Sequence, residues 1–66
     1  MRWERERAGV YRLGASGWWI ARQRQSGAWW WVIRYWERRQ GKARTLARAE
    51  DMASGWHARP ETRPVR

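Results

Sequence analysis

Cysteine and phenylalanine are both absent from this 66-residue chain, and its branched aliphatic residues are only Leu13, Leu46, Ile20, Ile33, Val10, Val32 and Val65. The lack of cysteine excludes disulfides and thiolate metal sites and fits a reducing compartment. The longest apolar run, Ala28 to Ile33, is far shorter than the roughly 20 residues a membrane-spanning helix needs. The opening stretch Met1 to Arg7 is charged and leads into no apolar segment of a secretory signal. A cytoplasmic protein without membrane insertion is expected. His57 is the sole histidine, and Glu4, Glu6, Glu37, Glu50, Asp51 and Glu61 show no spacing of a metal site or a catalytic carboxylate pair. No catalytic residue, metal or cofactor is therefore expected.

Low aliphatic content combined with a net charge of +9 is a signature of disorder. Eight tryptophans act against it, because each buried indole removes on the order of 200 Å² from water. A chain this short makes one small domain, near the size at which a single core is marginal. Completion by a second copy or a ligand is a natural expectation. Arginine supplies 14 of the 15 basic residues, with Lys42 the exception. A GC-rich coding sequence would give the same bias, but the physical consequence holds either way: guanidinium groups bind phosphate or guanine in bidentate fashion and stack on aromatic rings.

Trp18-Trp19-Ile20-Ala21-Arg22-Gln23-Arg24 and Trp29-Trp30-Trp31-Val32-Ile33-Arg34-Tyr35-Trp36 read as two strands of a hairpin. Residues directly opposite in an antiparallel pair share a face, so loop length fixes the register. An even-numbered loop, either Ser26-Gly27 or Gln25 to Ala28, sets Trp18 against Tyr35, Ile20 against Ile33, Arg22 against Trp31 and Arg24 against Trp29. It also sets Trp19 against Arg34, Ala21 against Val32 and Gln23 against Trp30. A three-residue loop turns one strand's apolar residues to the wrong side. The first face, with Trp18, Ile20, Ile33 and Tyr35, is the expected core, and Trp18, Trp29 and Trp31 are expected within it. The second keeps Trp19, Trp30, Val32, Arg34 and Trp36, with several indoles exposed.

Val10-Tyr11-Arg12-Leu13 reads as a short strand closed by Gly14-Ala15-Ser16-Gly17, while residues 2 to 7 fit either an edge strand or a disordered arm. Glu37 to Lys42 reads as a polar turn around Gly41. Thr45 suits a helix N-cap for an Ala-rich segment ending near Gly55, with Leu46, Ala49, Ala53 and Trp56 on one stripe. The expected fold is α+β: a three-stranded antiparallel sheet, four-stranded if residues 2 to 7 join it, with one C-terminal helix packed on one face. Its parts are an edge strand or flexible arm (1–8), a sheet-plus-helix domain (9–57) and a basic disordered tail (58–66).

Aromatic faces beside fixed positive charge suit nucleic acid. The candidate contacts are Arg12, Arg22, Arg24, Arg34, Arg38, Arg39, Lys42 and Arg44, with Trp19, Trp30 and Trp36. A strand ribbon fits the major groove of duplex DNA, the favoured partner, and exposed indoles stack on unpaired bases. Trp and Arg are also common hot-spot residues of protein interfaces, so a host protein or a Trp-joined homodimer is the alternative. A membrane-surface mode ranks behind both.

The pattern Gly9-Val10-Tyr11, Gly17-Trp18-Trp19-Ile20, Gly27-Ala28-Trp29-Trp30-Trp31-Val32 and Thr45-Leu46-Ala47-Arg48-Ala49-Glu50 resembles small sheet-plus-helix proteins frequent in actinobacteria and their phages. That group is largely without assigned function, so the likeness implies the fold more than an activity; the expected function is that of a non-enzymatic nucleic-acid-binding accessory protein of a phage or mobile element. The pattern is also similar to the three-stranded-sheet DNA-binding fold of plant ethylene-response factors and of phage integrase arm-binding domains. This second likeness implies DNA contact by Arg12, Arg22, Arg24 and Arg34 with Trp19 or Trp30. Leu13 stands after Tyr11-Arg12 where the plant signature has glycine.

Overall fold

The computed structural model describes residues 2–63. Five strands, β1 (Trp3–Arg7), β2 (Val10–Leu13), β3 (Trp18–Gln25), β4 (Ala28–Tyr35) and β5 (Arg38–Ala43), form one antiparallel sheet in the order β1-β2-β3-β4-β5. Helix α1 (Leu46–Ala58) and a 3₁₀ turn at Pro60–Thr62 follow. The α+β class and the C-terminal helix agree with expectation; the strand count does not.

The central hairpin has the expected register, with Trp18 opposite Tyr35, Ile20 opposite Ile33 and Trp19 opposite Arg34. Its loop is the two-residue Ser26-Gly27, with φ of 52° and 79°. Positive φ at both positions gives the twist that two-residue hairpins favour. Leu13, Trp18, Ile20, Ile33 and Ala43 form the core face with Ala49 and Ala53 of α1, joined by Trp3, Trp31, Tyr35, Leu46, Met52 and Trp56. Alanine at the two fully buried helix positions lets α1 lie close to the sheet. At Gly41 an added Cβ would meet the Trp56 ring at 3.1 Å.

The expectation allowed three strands, or four with residues 2–7, and β5 is the strand it lacked. Residues 3–7 form β1, an edge strand held to α1 by a 3.0 Å bond from the Trp3 indole N–H to Ser54 Oγ. The stretch read as a polar turn is β5. By register, its positions on the helix side are Arg38, Gly41 and Ala43. Small residues occupy the covered positions because Trp56 and α1 press there, so no apolar alternation marks the strand. A bulge at Arg39-Gln40 breaks the alternation further.

The helix also outruns its expected end at Gly55. An interior glycine costs about 1 kcal/mol relative to alanine. Trp56, tilted against Trp18 with centroids 5.8 Å apart, adds a large tertiary contact that offsets it. Thr45 is the N-cap, accepting from the Arg48 amide at 3.2 Å. In the stretch read as a disordered tail, Pro60–Thr62 turn back, and the Arg63 guanidinium lies 4.9 Å from the Tyr35 ring centre. Residues 64–66 of that expectation lie outside the described residues.

Gly17 sits at φ 96°, and a Cβ there would fall 2.6–3.0 Å from three atoms of the Trp36 indole. Gly27 also has positive φ, but a Cβ there meets nothing within 4 Å. Gly27→Ala is expected to lower stability by about 1 kcal/mol through backbone conformation alone. Gly17→Ala should lower it by about 2–4 kcal/mol, adding displacement of the Trp36 ring. Urea midpoints at unchanged m-value test the ordering, and equal losses would show that the Trp36 contact carries no stability.

Candidate nucleic-acid interface

Because α1 covers one face only, the opposite face must shield its own apolar residues. Val10, Ala21 and Val32 lie in register across β2, β3 and β4 on that open face, and Val32 is fully buried although no helix lies above it. The residues flanking this row include Trp19 and Trp30, both half-buried. Each indole carries two cations. The Arg12 and Arg34 guanidinium carbons lie 5.9 and 5.6 Å from the Trp19 ring centre, and Lys42 Nζ and the Arg44 guanidinium carbon lie 4.3 and 5.0 Å from that of Trp30. Aliphatic stems and indoles thus roof the second face, leaving charge outermost.

Hydrogen bonds hold this arrangement. The Trp19 indole N–H donates to the Trp36 carbonyl, Arg34 donates to the Glu37 carbonyl at 3.1 Å, and Lys42 Nζ donates to Gln25 Oε1 at 3.1 Å. The last two acceptors are neutral, so these bonds cancel neither positive charge. Arg12 differs: its Nε donates to Glu6 Oε1 at 2.6 Å. Glu4 lies opposite Arg12 in register, so acidic groups border the face along β1. Positive charge is concentrated toward β4, β5 and the start of α1.

The eleven candidate residues therefore separate. Arg12, Arg34, Lys42 and Arg44 gather around Trp19 and Trp30 on the open face, and Arg39 lies opposite Arg34 in the same row. Arg22 and Arg24 are on the helix side, toward the hairpin tip beyond the covered core. There Arg22 stacks on Trp29, 4.5 Å from its ring centre. Trp29, expected in the core, is 49% exposed because the strands run out from under α1. Trp18 is buried and Trp31 half-buried, as their register requires. Arg38 faces the helix side at the edge strand. Trp36 belongs to neither strand. It occupies the β4–β5 turn, 61% exposed, at φ 55°.

Among the described residues no three His, Asp or Glu side chains converge to hold a metal. The recess containing His57 is about 110 Å³ and is lined also by Ser16, Trp18, Tyr35, Trp56, Pro60 and Arg63. Among the described residues no helix is long and apolar enough to cross a membrane. Comparison of the chain with protein-family models, with curated proteins and with solved structures finds no match.

One carboxyl is perturbed, and it belongs to α1. Partial burial, with the adjacent Asp51 charge, raises the Glu50 pKa above its ordinary 4.5. A raised folded-state pKa favours the protonated form, so the associated stability is present below 4.5 and is lost as pH rises through the folded value. Glu50→Gln is expected to raise the urea midpoint at pH 7, with the gain fading below pH 4.5. A gain independent of pH would remove the charge explanation.

Proposed function

We propose that this protein is a non-enzymatic nucleic-acid-binding accessory protein that meets phosphate through its open sheet face. The observation that carries the reading is the placement of Arg34 on Trp19 and of Lys42 and Arg44 on Trp30, away from the Glu6–Arg12 pair at the β1 border. Rings and hydrogen bonds restrain these cations before any partner arrives, which lowers the ordering cost of binding. The net charge of +9 adds long-range attraction for a polyanion. The resemblance to actinobacterial and phage proteins supports a phage or mobile element as its setting, and the lack of cysteine supports the cytoplasm as its compartment.

The hairpin-tip cations Arg22 and Arg24 are a separate surface and are secondary in this proposal. Exposed Trp29 and Trp36 favour a second reading, a host-protein module or a Trp-joined homodimer.

Salt dependence separates the two. If Arg34, Lys42 and Arg44 each neutralise one phosphate, log Kobs against log salt has a slope near about −2.7 on duplex DNA or about −2.1 on a single strand. Lys42→Ala with Arg44→Ala should reduce the magnitude of the slope by about 1.8 on duplex, whereas Arg22→Ala with Arg24→Ala should change it little. Salt-insensitive binding, or a slope that follows the hairpin-tip pair instead, would reject this face as the phosphate site.

A further inference from the structure

Four of the exposed or half-exposed indoles are not equivalent. Trp19 and Trp30 each carry two cations, and Trp29 carries Arg22. A base stacking on one of these rings has to displace a guanidinium or ammonium group. Trp36 is the most exposed of these rings, at 61%. One face of its ring lies on the Gly17 backbone, Tyr35 meets it in an edge arrangement with centroids 6.2 Å apart, and most of the side chain is open to solvent.

Hydrogen bonds hold the backbone beneath the ring. The Trp36 amide donates to Gly17 O at 2.7 Å, and its carbonyl accepts from the Trp19 indole. Its φ of 55° is uncommon for a bulky residue and is imposed by these surroundings. An exposed, immobilised indole loses little side-chain entropy when something stacks on it. Arg34, stacked on Trp19, reaches the same turn through its bond to the Glu37 carbonyl.

Resting on the nucleic-acid reading above, we infer that Trp36 is the stacking platform for an unpaired nucleobase, with Arg34 available to the adjoining phosphate. The preferred partner is therefore single-stranded nucleic acid. A paired base inside a duplex offers no free π-face to a turn residue, whereas every unpaired base does. Trp19 and Trp30 serve instead to hold the phosphate-binding cations.

The test measures affinity of the full chain for a 12-nucleotide single strand, the same strand made abasic throughout, and a blunt duplex of equal length. Trp36→Gly removes the ring while accommodating the positive φ, and Trp36→Tyr retains an aromatic face. On the single strand, Trp36→Gly is expected to weaken binding roughly 5- to 150-fold without changing the salt slope, and Trp36→Tyr should recover most of the loss. Duplex and abasic affinities should move less than about twofold for either variant.

Equal losses on all three probes, or no loss on the single strand, would overturn the assignment. So would wild-type sedimentation as a dimer that Trp36→Gly dissociates, since the ring would then serve a protein contact. Thermal unfolding of each variant identifies a variant that has lost its fold; if Trp36→Gly does so, Trp36→Asn replaces it in the same comparison. Loss of the Lys42 and Arg44 salt effect would reject the broader nucleic-acid reading, whereas a preserved salt effect with indifference to Trp36 would reject only the stacking role.

Discussion

A single 13-residue helix can cover one face of this sheet, and the other face has to be shielded from water by its own side chains. With no phenylalanine and few branched aliphatics, tryptophan is the large apolar group available in number. Indoles on the open face protect Val10 and Val32, and cations over those indoles keep the outer layer soluble. The same cation–aromatic layer that solves a packing problem presents ordered positive charge. Stability and the candidate interface are thus two consequences of one arrangement.

The hairpin turn determines which residues enter that arrangement. Ser26-Gly27 fixes the parity of β3 against β4, and parity assigns Trp19 and Trp30 to one side and Ile20 and Ile33 to the other. A shift by one residue would exchange the core with the roof. Border chemistry then gives the open face its polarity. Glu6 engages Arg12 at the β1 side, while Lys42 and Arg44 stand at the opposite side, where no carboxylate among the described residues pairs with them.

The central hairpin was legible in sequence because its residues alternate strongly, and the even loop was the one choice that kept both apolar sets together. Strand β5 was not. Gly41 and Ala43 reflect the closeness of Trp56 and α1, a tertiary fact with no local apolar signal. Residues 3–7 were ambiguous because charged residues occupy both sides of an edge strand, and the Trp3–Ser54 bond that places them joins distant parts of the chain. The helix continued through Gly55 because Trp56 had a partner in Trp18 that composition could not identify.

The same distinction applies to the site. Cations and indoles were visible as types, and parity already put Arg22 and Arg24 on a different face from Trp19 and Trp30. What could not be read was the pairing of Arg12 with Glu6 or the docking of Trp36 on Gly17, since each depends on how separate turns and strands approach. The strand order also bears on assembly. Every ladder joins consecutive strands, so the sheet can zip up through short loop closures, each entropically cheap. The indole–hydroxyl link between residues 51 positions apart is different: it requires both the finished meander and the docked helix, making it a latch that closes last and gives β1 a second anchor besides its ladder to β2.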